Sequence, residues 1–398
     1  MFLRPLVLCV FTVLALATPG IVSAQILADV QVSGGVSGTF TVDLEYAKAP
    51  AAVANFIGLA TGQRDWLDYA TGAIRHEPYY NGVTFHRVIA GFMNQTGSRK
   101  GDGTDGPGYS FKDEFDPTLR HDAAYTVSMA NSGKHTNGSQ IFITAGATPW
   151  LNDVHTIFGH VISGQAICDA INATPTAAGD VPVTPIAIQG ITVYGPSLAG
   201  FNLTPSTLPV VYDAHPILSK SGTNFGLNYD ARSYSTYRGF HGTNLATWLA
   251  FKDIYFASAP VGQDDVTALA TGARHFFRMA RIDYGGPTNQ FMPAGVGGKS
   301  FSFPNGFVFP VELTFNAAGT GGSWSLVSSG SGTIQSVTYT RGPYLTKLLV
   351  VLNSFANYGF NIQLLYNLDY TSTGGGTHTA QSNVSGWTSF SGTFTTAP

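Results

Sequence analysis

The sequence predicts a mainly β protein: a closed antiparallel β-barrel capped by two helices, followed by one or two all-β modules. Three observations carry that reading. Strand-length apolar runs bounded by turn residues recur through the first half of the 398 residues. Two segments of that half show helical character, and two caps suit the open ends of a small barrel. Beyond Gly195 charged residues thin out, helical periodicity disappears, and Gly, Ser, Thr and aromatic residues dominate.

The first residues stand apart from the fold. Arg4 opens a short positive region, and Leu6 to Ala17 is apolar but shorter than the ~18 residues expected of a membrane anchor. Val22-Ser23-Ala24 then sets small residues where a signal peptidase cuts. A cleaved signal peptide over 1–24 is therefore expected, with Gln25 as mature start, secretion or a periplasmic location, and no stable membrane span afterwards. Cys9 lies too early, inside the apolar run, for lipid attachment. Cys168 is then the sole cysteine of the mature chain, so stability must come from packing and not from an internal disulfide.

A domain is expected over 25–195. Thr39 to Tyr46 alternates, with Phe40, Val42, Leu44 and Tyr46 on one face. Pro50 opens a helix, where a missing amide costs nothing. Val53, Phe56, Ile57 and Ala60 form its buried stripe, and Gly62 stops it. Further β runs are read at 83–88, 92–96, 125–129, 140–144 and 156–162. A second helix over about 164–172 buries Ile167 and Ile171, and Ile186 to Tyr194 supplies a last strand.

Two β-rich modules are expected beyond it, 196–286 and 287–398, with one larger β domain as the alternative. Turn signals stand at Gly319-Thr320-Gly321-Gly322, Gly330-Ser331-Gly332 and Gly374-Gly375-Gly376. The run from Ala273 to Tyr284 reads as a closing strand, and Gly285-Gly286-Pro287 as the break after it. Trp248, Trp324 and Trp387 permit a carbohydrate- or envelope-binding face, although a core position suits them better.

Composition narrows the function. The formal net charge is −3, without any lysine- or arginine-rich block, which argues against nucleic acid and anionic membrane surfaces as partners. His121, His135 and His160 lack ligand-like spacing with Cys, Asp or Glu, and no P-loop arrangement appears. The expectation is neither metal nor cofactor.

Chemistry concentrates in three blocks, FHRVIAGFMNQ (85–95), SMANSGKHTNGSQIFIT (128–144) and WLNDVHTIFGHV (150–161). They supply an arginine, histidine, amides and apolar or aromatic side chains, but no evident nucleophile. A reaction without a covalent bond to the enzyme fits that set, so a peptide would be bound and twisted, not cut. His86, next to Arg87, is expected to make a structural hydrogen bond.

In order and spacing, these blocks resemble the cyclophilin family of peptidyl-prolyl cis-trans isomerases, over roughly Leu27 to Tyr194. The segment with Arg64-Asp65-Trp66 and Thr71-Gly72 is similar to the longer form of bacterial members. The resemblance implies a cyclophilin-like barrel, proline-containing polypeptides as partners, and Arg87 as the catalytic residue. It also implies a binding set of Phe92, Met93, Gln95, Ala130, Asn131, Gln140, Phe142, Trp150, Leu151 and His155. By the same resemblance the tryptophan at 150 would hydrogen-bond cyclosporin. Two turns depart from the family pattern, Gln95-Thr96-Gly97-Ser98 and Ser132-Gly133-Lys134-His135; they bear on loop geometry, not on the reaction.

The chemistry is consistent with those roles. Amide resonance sets a rotation barrier of ~18–20 kcal/mol, and X-Pro bonds exchange slowly although their isomers are nearly isoenergetic. An apolar cup from Phe92, Met93, Phe142 and Leu151 would fix the ring. Gln95, Asn131, Gln140 and His155 would hold the backbone. Arg87 would hydrogen-bond the prolyl nitrogen as it pyramidalises, a contact made only in the transition state. The expected function is thus isomerisation of X-Pro bonds during folding of exported proteins. The alternatives are non-catalytic binding of proline segments, or a binding protein dominated by its C-terminal modules.

Overall fold

Ala28, Val30 and Val32 alternate with more accessible residues along β1 (Leu27–Gly34), as Phe40, Val42 and Leu44 do along β2 (Gly38–Leu44). The strands pair antiparallel with Val30 opposite Phe40, so both apolar rows enter one core. The computed structural model describes residues 24–256, 263–270, 274–285, 295–304, 311–326, 330–341, 343–352, 362–382 and 390–397. Outside them lie Arg4, Cys9, the run Leu6 to Ala17, Val22-Ser23, Ala273, Gly286-Pro287 and Trp387.

Helix α1 (Pro50–Thr61) begins at the expected proline and ends at Gly62, whose φ of 75° is left-handed. Its side chains at 49 and 50 offer no cap. Instead the Glu114 carboxylate, from a distant loop, accepts the Ala51 and Ala52 amides at 3.0 and 2.8 Å. Every residue from Ala51 to Ala60 is buried, not only the stripe at Val53, Phe56, Ile57 and Ala60. Alanines and Gly58 let neighbours approach, and Asn55 is satisfied inside by the Gly138 carbonyl and the Tyr109 hydroxyl.

The remaining elements of this domain are β3 (Trp66–Asp68), β4 (Ala73–Arg75), β5 (Arg87–Ile89), β6 (Met93–Thr96), β7 (Thr126–Met129), β8 (Ile141–Thr144), β9 (Ile157–Ser163), α2 (Gln165–Asn172) and β10 (Ile186–Tyr194). Eight strands form one antiparallel sheet ordered β10-β1-β2-β9-β7-β8-β6-β5. The run expected as one strand at 83–88 divides its bonds. Arg87–Ile89 pairs with β6, whereas Phe85 donates to the Ile186 carbonyl and Val83 accepts from Ile188, both at 2.9 Å. That second set joins the sheet's two edges and closes the barrel. Helix α2 buries Cys168 and Ile171, with Ile167 only partly covered. Two elements had no counterpart among the expected ones: β1, despite its visible alternation, and the short β3–β4 hairpin.

The next part contains β11 (Val210–Asp213), β12 (Ile217–Ser221), β13 (Asn224–Asn228), β14 (Ser235–Gly242), β15 (Leu249–Phe256), β16 (Gln263–Asp265) and β17 (Phe276–Asp283). They make a four-stranded sheet, β11-β17-β14-β15, and a three-stranded one, β12-β13-β16. The larger sheet packs on the first domain. Leu208, Val211, Phe240, Trp248, Ala280 and Ile282 share one core with the barrel. Phe240 fills the space beside Gly72, where an added Cβ would lie 2.7 Å from the ring. Arg64 donates to the Pro209 carbonyl at 2.7 Å and Arg278 to the Thr71 carbonyl at 2.8 Å.

A closed barrel follows, β18 (Ser300–Phe303), β19 (Val311–Phe315), β20 (Gly322–Leu326), β21 (Gly330–Arg341), β22 (Thr346–Leu352), β23 (Ile362–Ser372), β24 (Gly375–Ser382) and β25 (Phe390–Ala397). Its core stacks Phe301, Phe303, Tyr366 and Phe394. Trp324 and Trp248 are buried, so neither forms an exposed binding face. Gly330-Ser331-Gly332, expected as a turn, opens β21, because the Trp324 indole occupies the side-chain space of Gly332. Among the described residues this barrel touches the first domain where Lys134 pairs with Asp369, His135 meets the Tyr344 ring edge-on, and Lys112 lies over that ring at 5.6 Å.

Phe240→Ala should cost about 3–5 kcal/mol, the usual range for emptying a buried phenylalanine site. Because that core is shared, chemical denaturation should show the loss in the transition of the first domain as well as in that of its neighbour.

Candidate active site

One row of paired residues crosses four strands. Arg87 on β5 faces Gln95 on β6, Gln95 faces Phe142 on β8, and Phe142 faces Ser128 on β7. Directly paired residues share a face, so these four side chains point the same way, and Met93 and Gln140 join them two residues along. Val88, Val127, Met129, Ile141 and Ile143, on the opposite face, fill the barrel core. Met93 and Phe142 are equally buried but lie outside that core cluster. Their cover comes from the barrel's outer side, which favours a cup over an interior role.

The loop after β8 closes the cup. Pro149–Leu151 forms a 3-10 turn that leaves Trp150 64% exposed, its ring 6.1 Å from Phe92. Leu151 accepts the amide of His155 at 3.2 Å, and the His155 ring meets Phe142 edge-on at 5.3 Å. His155 Nδ1 lies 2.9 Å from the Met129 carbonyl. A carbonyl only accepts, so Nδ1 carries the proton and Nε2 is left as an acceptor. Behind Phe142, the His121 ring stacks at 6.0 Å and is fixed by Ser128 Oγ at 2.7 Å.

The amides form a connected frame. Gln95 Nε2 donates to Gln140 Oε1 at 3.0 Å, and Gln140 Nε2 reaches the Gly103 and Asp105 carbonyls, both at 2.8 Å. Asn131 donates to the Val154 carbonyl at 2.9 Å, and the Ala130 amide to the Gln140 carbonyl at the same distance. Gln140 and Asn131 thus spend their amino groups on the protein itself.

Arg87 stands half-exposed at the end of the row, with Nε 3.4 Å from Asp180. The Val88 amide donates to the Asp180 carbonyl at 2.8 Å, which straps the 174–183 loop beside it. Of the residues read from the sequence, Arg87, Met93, Gln95, Gln140 and Phe142 share the strand face, and His155 packs on Phe142. Ala130 and Asn131 line the same cleft as Gln95, and Phe92 lies beside Trp150 in the turn that holds Leu151. Asp180 went unread, since nothing links it to the three blocks before the chain folds. His86 is buried beside Gly103, where contact with the Thr84 backbone partly offsets the cost that burial puts on its charged form.

Among the described residues no group of three His, Cys, Asp or Glu side chains could hold a metal ion, and no helix is long and apolar enough to cross a membrane.

The family model for cyclophilin type peptidyl-prolyl cis-trans isomerases matches residues 27–193. Peptidyl-prolyl cis-trans isomerase A of Mycobacterium tuberculosis is 50% identical over 147 residues, 36% of this chain and 81% of that protein. Peptidyl-prolyl cis-trans isomerase B of Streptomyces anulatus is 49% identical over 148 residues, 36% of this chain and 85% of that one. A crystal structure of a Cryptosporidium parvum cyclophilin type peptidyl-prolyl cis-trans isomerase, 29% identical, covers 43% of this chain and 98% of its own, with a TM-score of 0.37. This chain belongs to the cyclophilin-type peptidyl-prolyl cis-trans isomerase family. Its activity is the rotation of peptide bonds that precede proline, and proline-containing peptides are what it binds.

Burial pushes the His155 imidazole below its ordinary 6.5, and the bond to the Met129 carbonyl offsets part of this. Burial also depresses His121 and His86, opposed by the Asn152 hydrogen bond and the Asp105 charge respectively. A depressed folded value means the unfolded chain takes up protons first as pH falls. Stability should therefore be level above pH 6.5 and decline as pH drops through the depressed values, which Tm measured from pH 8 down to 5 checks. Turnover per folded molecule should fall only at the lower, acid end of that range, where His155 in the folded enzyme gains its proton and loses its Nε2 acceptor.

Proposed function

We propose that this isomerase assists the folding of exported polypeptides, in the periplasm or outside the cell. The apolar run and the small residues at Val22-Ser23-Ala24 support export with a cleaved signal over 1–24. In this reading 25–195 is the isomerase domain, and 196–286 and 287–398 are β modules that localise it or present clients.

Within the site, Arg87 is the catalytic residue. The observation that carries this is the paired row, which sets its guanidinium on the same face as Gln95 and Phe142. Proline enters the cup of Phe92, Met93, Phe142 and Leu151, so its ring is held while the preceding carbonyl turns. Rotation breaks amide resonance and returns the lone pair to nitrogen, where a guanidinium N–H can meet it. With Nε beside Asp180, the terminal amino groups of the half-exposed Arg87 are the ones available for that contact. Gln95, Ala130, Asn131, Gln140, Trp150 and His155 hold the chain on either side of proline.

A hydrogen bond to a charged group contributes about 1.5–3 kcal/mol, whereas a hundred-thousand-fold acceleration needs about 7 kcal/mol. Arg87 supplies a part, and the dry apolar cup supplies more by disfavouring the polar planar amide.

Arg87→Ala should lower kcat/KM for a proline peptide at least about ten-fold, with circular dichroism and Tm unchanged because the side chain is half-exposed. Retained activity would remove Arg87 from the mechanism. The exposed Trp150 indole makes cyclosporin a ligand in this reading, so turnover should be blocked at about micromolar drug. Resistance would mean that the Ser132–His135 turn has reshaped the groove.

A further inference from the structure

A cleft of about 840 Å³ opens beside the proline cup. Its near wall is Gln95, Ala130, Asn131 and Gln140, so it continues directly from the site. Its far wall comes from elsewhere. Tyr69 lies at the tip of the β3–β4 hairpin, and Arg238 lies on β14, in the sheet that packs against that hairpin. The far wall is therefore held in place by the shared core around Phe240 and by the Arg278 bond to the Thr71 carbonyl.

The charges around the cleft are not equivalent. Arg99 lies over the Trp66 ring at 4.8 Å and donates to the Tyr79 carbonyl. Lys100 is paired with Asp102 at 2.9 Å. Asp105 accepts the Ser98 hydroxyl and the Lys100 amide, and Asp68 accepts from Arg75 and Thr71. Arg238 differs. Its guanidinium lies 5.0 Å over the Tyr69 ring, and Nε and Nη1 are buried without a hydrogen bond. The exposed Asp253 pairs with Nε at 3.3 Å, outside hydrogen-bond geometry. A fifth of the Arg238 side chain remains open. With Nε and Nη1 covered, a substrate carboxylate in the cleft meets the open remainder of that side chain, where a charge-assisted bond is the strong kind.

We propose that this cleft takes an acidic side chain of the substrate, an Asp or Glu flanking the proline, and that Arg238 makes the strand β14 part of the substrate site. The proposal rests on the isomerase reading, with proline in the Phe92–Phe142 cup. It gives the region after the catalytic domain a direct part in choosing substrates.

The test uses the full chain and proline peptides with Glu, Gln or Lys placed in turn at each position within about three residues of the proline. NMR exchange gives kcat/KM for each. At one flanking position Glu should exceed Gln about five-fold, a range suited to a partly exposed pair, and the ratio should shrink as salt is raised. Arg238→Gln should bring that ratio to about one, and Arg238→Glu should turn the preference toward Lys. Ratios within about two-fold of one at every position in the unmutated chain would overturn the proposal, as would a Glu preference that survives Arg238→Gln. If that variant does not fold, the salt series decides alone, and a Glu preference indifferent to salt refutes it. Failure of the isomerase reading looks different, since no peptide would then be turned over.

Discussion

The site depends on the strand register across β5, β6, β8 and β7. Arg87, Gln95, Phe142 and Ser128 stand in one line because each is directly paired with the next. A slip of one residue at any of these ladders would send that strand's contribution into the core and bring a core residue out. The register is protected by what lies behind it. Val88, Ile141 and Ile143 have no tolerable place on the wet side, so burying them fixes the orientation of the functional residues in front. Packing in the core thus specifies the geometry outside it, and rigid strands carry the arginine and half of the cup, Met93 and Phe142.

Loops complete what the strands begin, and they do so by hydrogen bonds of the protein to itself. Gln140 ties the 103–105 turn to Gln95, Asn131 ties its loop to Val154, and Met129 orients the His155 ring. Such second contacts hold the polar groups before substrate arrives, which reduces the ordering needed on binding. Asp180 acts similarly on Arg87, though across two half-exposed side chains where an ion pair contributes little.

What the sequence made legible follows from how locally each signal is encoded. Alternation found β2 and β10, and proline with glycine bounded α1, because periodicity and caps are properties of neighbouring residues. The eleven site residues were reached only through the resemblance of three blocks to the cyclophilin family. Long-range partners were not legible: Glu114 capping α1, Asp180 beside Arg87, and the full burial of α1 all arise from segments far apart in sequence. The β3–β4 hairpin was missed because its strands are three residues each and show no alternation to read.

The shared core also orders events in time. A chain made from its N-terminus can close the first barrel while Leu208, Val211, Phe240, Trp248, Ala280 and Ile282 are still to be synthesised. Until they arrive, the hairpin around Gly72 and Ile74 lacks its cover, and an uncovered apolar face is adhesive. The nascent protein therefore passes through an interval in which its catalytic domain is assembled but not yet shielded. That interval lasts until the chain through Ile282 has emerged and docked.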